Sequence, residues 1–500
     1  MHQVSPVLFV AIPLTAAFFI ILLARALKQL EYIFSILASS VLFLLSLSVL
    51  FFIPKATNNI FVYKLGAWLP ALGVSLALDG LSALMLVTVN LISFLVTIYS
   101  LGYMQRYSDK WKFSALFMLM LAGMNGIIIS ADLFSIYVFL EVASIAGYAL
   151  VAFGTESEDL EASFKYAVMG SVASIFILLG IAMLYSYTST LNMADMAAVL
   201  SAKPQGMIIR FVTVLFLAGF GLKAAIVPFH AWLADAHPSA PAPVSAILSG
   251  VFIKTSGIYA LSRVIFNILG VYGKVLWVFI ILGVLSMVAG AFLAIAQKDI
   301  KRMFAYSSVS QIGYIIFALG INTPLAIFAA LFHLVNHALF KSLLFLDAGA
   351  IEYSTGTRRL DKLGGLSSRL PVTCSTSLIG SLAISGIPPL GGFWSKLLIV
   401  IAAVQARYFG LALTAVLVSI ITLAYYLKFQ NFTFFGKSET SRKDIKEVPL
   451  SMKMPMIILA VICVLSGLLL APAFRPFLQR AAEVLSSGNN YQNISAGAIK

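Results

Sequence analysis

Ionisable side chains lie deep inside apolar stretches of this chain, where a charge is costly. Glu141 lies in FSIYVFLEVASIAGY, nine residues after Asp132, which is about 14 Å along a helix that begins there. Lys223, Lys254 and Lys396 also lie within apolar segments. An acid and an amine that share a cavity change their proton occupancy when their separation changes, because each charge stabilises the other. These four side chains predict a proton-transfer site, with static structural ion pairs as the alternative.

The basic residues inside apolar segments are all lysines. Of the 33 Lys and Arg side chains, the helix assignment leaves five within membrane segments: Lys223, Lys254, Lys341, Lys396 and Lys428. Lys428 lies near a helix end, from which its ammonium group can reach the membrane surface. Lysine changes its pKa readily on burial, whereas arginine stays charged. The choice of lysine therefore favours titration over static pairing.

Three polar residues recur every four positions in LFHLVNHALFKSLLFL. They are His333, His337 and Lys341, and their spacing places them on one helix face. Neutral imidazole both accepts and donates a proton, so this stripe predicts a proton relay, with structural hydrogen bonding as the alternative. The HxxxH spacing also suits zinc, but there is neither a third ligand at motif spacing nor HExxH. We therefore expect no metal site.

Other polar residues allow both a structural and a functional interpretation. His230, Asp235 and His237 in PFHAWLADAHPSAP either cap helix ends or admit ions from the cytoplasmic side. Asp79 and Asp132 stand at helix starts, where the expected role is N-capping. A polar set on the helix that follows KDIKR either hydrogen-bonds a file of water or packs: Ser307, Ser308, Ser310 and Gln311.

The elements that position these residues must be membrane helices. The chain has 500 residues, 61% of them hydrophobic and 10% charged, with mean hydropathy +1.00, whereas soluble domains carry about 25% charged residues. The net charge of +14 comes from short basic loops between apolar runs, so no nucleic-acid partner is expected. Cys374 and Cys463 are far apart and form no CxxC or iron–sulfur spacing. Nucleotide, dinucleotide, haem and hydrolase motifs are also missing, so we expect no cofactor and no redox or hydrolytic centre.

The apolar runs predict an all-α polytopic protein with about 14 transmembrane helices. The first run lacks a basic n-region and is interpreted as a membrane helix, not as a cleaved signal. An even number places both termini on one side. Ten basic residues, among them Lys203, Arg263 and Lys500, fall on that side, and eighteen, among them Lys301, fall on the other. The positive-inside rule then predicts a protein of the cell's inner (plasma) membrane with its termini outside.

Two apolar segments are interrupted by Gly and Pro: AGFGLKAAIVPFHAWL around Lys223 and AISGIPPLGGFWSK before Lys396. Interrupted helices in paired positions are typical of inverted repeats with an ion path between them. The spacing fits two inverted five-helix repeats, helices 4–8 and 9–13, with helices 7 and 12 broken. The predicted domains are 1–110 (helices 1–3), 111–270 (first repeat), 271–436 (second repeat) and 437–500 (cytoplasmic loop, helix 14 and tail).

Five stretches carry a resemblance to a known family. They are DLFSIYVFLEVASIAGY, GLKAAIVPFHAWLADAHPSAPAPVSAILSG, KDIKRMFAYSSVSQIGY, HLVNHALFKSLLFL and GIPPLGGFWSK. In this order they resemble the antiporter-like subunits of respiratory complex I, Mrp-type sodium/proton antiporters and membrane-bound hydrogenases. LEASFKYAVMG, TSTLNMADMA and lysine at position 396 are most similar to the D-type component of Mrp antiporters and its hydrogenase counterpart. One departure is Ala234 in LADAH, where many relatives have proline, and it should alter the helix only locally.

The resemblance implies 14 helices and proton transfer along a central polar axis. It implies that Glu141, Lys223, Lys254 and Lys396 are the family's charged residues of helices 5, 7, 8 and 12, and that His337, with His333 nearby, is its helix-11 histidine. The expected function is proton translocation, with sodium coupling as an open alternative, inside an Mrp-, hydrogenase- or complex I-like assembly of membrane subunits and lipid. A structural anchor without transport, a bicarbonate-uptake partner and a solute transporter that acts alone are the competing hypotheses.

Overall fold

The computed structural model describes residues 5–23, 30–55, 59–67, 73–202, 206–270, 273–436 and 445–487. Within these ranges the chain is helical apart from loops and one antiparallel hairpin, β1 (Phe61–Lys64) and β2 (Ser75–Leu78), in which Phe61 pairs with Leu78. The predicted all-α membrane fold is therefore confirmed, with one small β-hairpin added. Lys203, Lys500 and residues 437–444 of the last predicted domain lie outside the described residues.

The helices fall into two groups along the chain. Those before residue 240 are α1 (Leu8–Leu23), α2 (Leu30–Phe52), α3 (Gly80–Tyr103), α4 (Lys110–Ile129), α5 (Leu133–Val151), α6 (Ser157–Thr188), α7 (Met193–Ala202), α8 (Met207–Lys223) and α9 (Ala231–Ser239). Those after it are α10 (Ala242–Leu269), α11 (Gly273–Ile295), α12 (Ile300–Ile321), α13 (Pro324–Thr355), α14 (Pro371–Ser385), α15 (Gly391–Gln405), α16 (Phe409–Gln430), α17 (Leu450–Leu465) and α18 (Arg475–Ser486).

Eleven of the described helices are long and apolar enough to cross a membrane. The number fourteen stays a prediction, because it requires that α1 also crosses and that each interrupted pair, α8–α9 and α14–α15, crosses once. The interruptions themselves lie where Gly and Pro predicted them. α8 ends at Lys223 and α9 begins at Ala231, while α14 ends at Ser385 and α15 begins at Gly391.

Short polar side chains begin several of the helices. The Asp79 carboxylate accepts a hydrogen bond from Ser82 N at 2.8 Å, and that of Asp132 accepts one from Ser135 N at 2.7 Å. A side-chain oxygen at this position satisfies an amide group that has no partner within the helix. The N-cap role predicted for both aspartates is confirmed.

Burial separates a polar interior from an apolar exterior. α10 is buried along its whole length, and α12 and α13 are buried along most of theirs. Peripheral helices instead expose large apolar side chains, such as Phe164 on α6 and Leu413 on α16. Because apolar side chains are stable in lipid and charged ones are not, the ionisable residues must act inside the helix bundle.

Two basic residues were assigned to the wrong environment by the sequence. Arg263 was counted with an outer-side loop, but it lies inside α10, 3% exposed, with its Nη2 atom 2.7 Å from Asp79 Oδ1. Lys301 was counted with a cytoplasmic loop, but it lies in the first turn of α12, 1% exposed, with Nζ 3.0 Å from Glu352 Oε2. Carboxylates distant in sequence draw these cations into the protein, which a count of loop charges does not detect.

Candidate ion-transfer site

Lys223 and Glu141 meet at the end of α8. Lys223 Nζ is 3.8 Å from Glu141 Oε1, which is longer than a charge-assisted hydrogen bond of about 2.7–2.9 Å. Each ion has another partner: Lys223 Nζ donates to Ser144 Oγ at 3.0 Å and to Tyr148 Oη at 3.5 Å, and Ser174 Oγ donates to Glu141 Oε1. The structure therefore brings the predicted pair together in a loose contact.

The two members of this pair differ in exposure. The Lys223 side chain is 2% exposed, whereas that of Glu141 is 27% exposed. Val138 and Ile145, on the same face of α5, are 41% and 62% exposed. The carboxylate therefore lies where the polar interior of the molecule meets its lateral apolar surface.

Lys254 lies at the centre of α10, in a part of the helix with wide turns. Leu248–Phe252 and Lys254–Tyr259 are π-helical, a geometry that recurs at functional sites. Lys254 Nζ donates to the backbone oxygen of Ser249, and no carboxylate in the described part of the chain forms an ion pair with it. Lys254 is thus an inward-facing amine that lacks a carboxylate counterion there.

Two hydroxyl groups and a carbonyl group lie between the surroundings of Lys254 and Lys341. Ser249 Oγ is 2.7 Å from Ser308 Oγ, which donates to Phe304 O at 2.9 Å. Lys341 Nζ donates to the same carbonyl at 2.7 Å and to Tyr426 Oη at 3.3 Å. Ser308 therefore lies between the surroundings of Lys254 and Lys341, whereas Ser310 donates to the Met287 carbonyl.

His333 and His337 stack on α13, as their spacing predicts. Their ring centroids are 6.2 Å apart, their planes differ by 10°, and both residues are fully buried. His333 Nδ1 lies 2.9 Å from Ser395 Oγ, next to Lys396 in the chain. Among the described residues, no group of three His, Cys, Asp or Glu side chains could hold a metal ion.

Lys396 lies against an aromatic ring on α12. Its Nζ is 4.9 Å from the centroid of the Tyr314 ring, within the range of a cation–π contact. Several buried polar atoms of Lys396, the two histidines and Gln311 have no hydrogen-bond partner among the described residues: Lys396 Nζ, both ring nitrogens of His337, His333 Nε2 and both amide atoms of Gln311. Buried polar groups without a protein partner usually bind water, so this region suits a short file of water molecules.

The predicted site thus forms three linked groups. Glu141 pairs with Lys223, Lys254 is linked to Lys341, and the two histidines are linked through Ser395 to the neighbourhood of Lys396. In the described part of the chain, no direct protein hydrogen bond joins the Lys223 group to the Lys254 group. A proton that crosses between these groups needs water or a movement of side chains.

Asp235 and His237 occupy different environments although they are two residues apart. Asp235 forms ion pairs with Lys165 at 3.3 Å and with Arg302 at 2.9 Å. It lines an open, charged cavity of about 670 Å³. His237 is fully buried, and its ring centroid is 4.7 Å from that of Phe345. Asp235 therefore lines the charged cavity, whereas His237 belongs to the buried interior.

Two acids on α13 were missed by the sequence reasoning. Asp347 is fully buried, and Glu352 pairs with Lys301. Asp347 lies six residues after Lys341 in an apolar run, so the depth criterion that selected Glu141 would have selected it as well. Glu352 had no such signal, because it lies close to the end of the helix and its partner is distant in sequence.

Comparisons with known proteins cover this whole site. A family model described as "NADH:quinone oxidoreductase/Mrp antiporter, TM" matches residues 130–422, and this range contains all seven predicted site residues. A second model, described as "NADH-Ubiquinone oxidoreductase (complex I), chain 5 N-terminus", matches residues 68–114. The N-type component of the NADH-quinone oxidoreductase of Desulforudis audaxviator is 34% identical, over 93% of this chain and 95% of that protein.

Two further comparisons are with Mrp-type proteins. The D-type component of the Na(+)/H(+) antiporter of Alkalihalophilus pseudofirmus is 32% identical over 96% of this chain and 97% of that protein. A chain in the structure of the Mrp complex from Dietzia sp. superposes with a TM-score of 0.90 at 27% identity, covering 99% of this chain and 98% of that one. The resemblance inferred from the five sequence stretches is confirmed.

Proposed function

The chain belongs to the NADH:quinone oxidoreductase/Mrp antiporter family of membrane proteins, and from this premise we propose that it is a proton-translocating, antiporter-like subunit of a multi-subunit ion-pumping complex. The observation that carries the proposal is the loose contact between Lys223 and Glu141. A pair that served only the fold would be expected at hydrogen-bonding distance, with both charges fully buried. Here the lysine has two hydroxyl partners to turn to when the acid is neutralised.

The energy of this contact matches its proposed task. Two charges about 4 Å apart attract by about 4 kcal/mol at an effective dielectric constant of about 20. One charge that crosses a potential of 100 mV gains or loses about 2.3 kcal/mol. The two quantities are of the same order, so making or breaking the pair can be coupled to the movement of one ion.

The proposed route continues through groups that accept and donate protons. Lys254 and Lys341 exchange protons through water and the Ser249 and Ser308 hydroxyl groups between them. His337 and His333 carry protons onward along α13, and Lys396 controls the last exchange. Lysine and histidine suit these positions because both change protonation state without leaving the bundle.

The proposed setting is the inner (plasma) membrane, with the termini on the outer side. The charged cavity at Asp235 would then face the cytoplasm and admit ions towards His237. The drive for transport would come from other membrane subunits, either through a redox reaction or through a sodium gradient. The relative named as part of a Na(+)/H(+) antiporter supports the second source, and the one named as part of an NADH-quinone oxidoreductase supports the first.

The experiment that tests the function is the substitution Lys223→Ala in the assembled complex. Proton flux in inverted membrane vesicles should fall to background, while the altered chain stays in the complex. Lys428→Ala is the control, because that partly exposed lysine donates only to the backbone oxygens of Ile295 and Gln297. Unchanged proton flux with intact assembly would favour a structural anchor, and retained bicarbonate uptake without proton flux would favour the bicarbonate-partner alternative.

A further inference from the structure

A row of buried hydroxyl groups on α14 lies apart from the route described above. Its members are spaced four residues apart and share one helix face, and each is at most 4% exposed: Thr373, Ser377, Ser381 and Ser385. We propose that this α14 row and the carboxyl group of Asp347 form a second proton path, between Lys396 and the membrane side on which α14 begins. The inference rests on the proposed proton-carrying function.

Asp347 is the ionisable member of this path. It is fully buried on α13, about 9 Å along the helix from Lys341. Thr376 Oγ1 donates to its Oδ1 atom at 2.8 Å, its Oδ2 atom has no hydrogen-bond partner, and no cation in the described part of the chain forms an ion pair with it. A carboxyl group held in this way inside a membrane is costly and marks a functional position.

Glu447 lies at the first hydroxyl group of the row, on the membrane side on which α14 begins. Its partly exposed carboxylate accepts hydrogen bonds from Val372 N at 2.9 Å and from Thr373 Oγ1 at 2.7 Å. The bond to the amide satisfies a donor in the first turn of α14 that has no partner within the helix. The bond to the hydroxyl group is an additional contact, and it joins a solvent-accessible acid to the first member of the row.

Gln430 of α16 spans the middle of the row. Its Nε2 atom donates to Ser377 Oγ at 2.7 Å and to Ser381 Oγ at 2.9 Å, while its Oε1 atom has no partner among the described residues. One amide therefore fixes two hydroxyl groups and leaves a buried acceptor for water. A buried acceptor of this kind is usually hydrogen-bonded to water.

The inner end of the row lies at Lys396. Ser385 is followed by Gly386, which has φ of 83°, a backbone conformation that favours glycine. A Cβ atom at Gly386 would lie 3.2 Å from Lys396 Cδ. The row thus ends beside the side chain of the lysine that terminates the first route.

Proton movement along the path needs no net chemical change. Hydroxyl groups and water exchange hydrogen-bonded protons, and Asp347 gains a proton on one side as it releases one on the other. Ser and Thr hydroxyl groups in membrane helices often bond only to the carbonyl four residues earlier, as Ser385 does with Ser381 O. That structural explanation accounts for single hydroxyl groups but not for a buried acid with an unpartnered oxygen.

Asp347→Asn in the assembled complex is the direct test. Proton flux in vesicles should be partly lost, because the route through Lys223 still reaches Lys396, and Asp347→Glu should restore part of it. If Asp347→Asn disrupts assembly, Thr376→Val is decisive, because it removes only the hydroxyl partner of Asp347 and should cause a smaller partial loss of flux. Thr88→Val is the matched control, since Thr88 is a buried threonine on α3 that bonds only to Leu84 O.

The outcomes separate this inference from the proposed function. Loss of flux in Lys223→Ala together with normal flux in Asp347→Asn and Thr376→Val overturns the second path and leaves the function standing. Normal flux in Lys223→Ala overturns the function itself, whatever the Asp347 variants do. Equal losses in Thr376→Val and Thr88→Val also overturn the path, because the effect would then belong to buried threonines in general.

Discussion

Among the ion pairs in the described part of the helix bundle, those of Arg263 with Asp79 and of Lys223 with Glu141 are built differently. Arg263 Nη2 is 2.7 Å from Asp79 Oδ1, and its other guanidinium atoms contact Tyr259 Oη at 3.0 Å and Asn267 Oδ1 at 3.4 Å. Lys223 and Glu141 are 3.8 Å apart. The first pair combines an always-charged cation with a rigid array of acceptors, whereas the second combines a titratable amine with an acid that is partly exposed.

The difference is the one expected between a structural ion pair and the proposed transport pair. Asp79 is fully buried and also caps α3 through Ser82, so neither partner can move without breaking several bonds at once. Glu141 and Lys223 each keep an alternative hydroxyl partner, so each remains hydrogen-bonded when their contact breaks. The choice of cation, the distance and the number of competing partners are therefore the features in which the proposed transport pair differs from the structural pair.

The largest expected effect is on stability, in Asp79→Asn. Removing one partner of a buried pair leaves an uncompensated charge and costs about 3–5 kcal/mol. Thermal unfolding of the purified complex should show this loss, while proton flux per assembled complex stays close to that of the unchanged protein. A selective loss of flux with normal thermal stability would contradict the structural assignment of this pair.

Glu141→Gln should have the opposite profile. The amide keeps the size of the side chain but cannot take up or release a proton, so flux should fall about a hundredfold, which is about 2.7 kcal/mol. The melting temperature should change little, because Glu141 is partly exposed and its ion pair is loose. Glu483→Gln on α18 is the matched control, and an equal loss of flux in both variants would refute a specific role for Glu141.

Exchanging the two cations sharpens the comparison further. Lys223→Arg keeps the positive charge but removes a titratable amine, so flux should fall about tenfold while the complex still assembles. Arg263→Lys removes the hydrogen bonds to Tyr259 and Asn267, and it should lower thermal stability without changing flux per complex. Normal flux in Lys223→Arg would mean that a fixed charge suffices at this position, which removes the titration mechanism.

Sequence reasoning predicted the pair of Glu141 and Lys223 but not the pair of Arg263 and Asp79. Glu141 and Lys223 were found because depth within an apolar helix is visible in the sequence. The partnership of Arg263 with Asp79 joins residues 184 positions apart, and no local pattern connects them. The π-helical turns of α10 were also missed, since they arise from tertiary packing and leave no trace in hydrophobic periodicity.

The histidine stripe shows how far spacing alone can reach. The i, i+4 pattern correctly placed His333 and His337 on one face of α13, because helix geometry fixes that relation. It did not predict that His333 contacts Ser395 on α15, the second helix of the interrupted pair α14–α15. Contacts between helices depend on how the bundle closes, and one sequence does not contain that information directly.

The smallest expected effect is at a third kind of ion pair, the partly exposed cluster at Asp235. Its bonds to Lys165 and Arg302 lie at an open cavity, where pairs contribute about 0–1 kcal/mol to stability. Asp235→Asn should therefore leave the melting temperature unchanged. If the cavity admits cations, flux should fall roughly twofold at low ionic strength and recover at high salt, because salt screens attraction at an exposed charge. Flux that is independent of salt in both proteins would assign Asp235 to helix capping, and the cluster would join Asp79 and Arg263 on the structural side of the comparison.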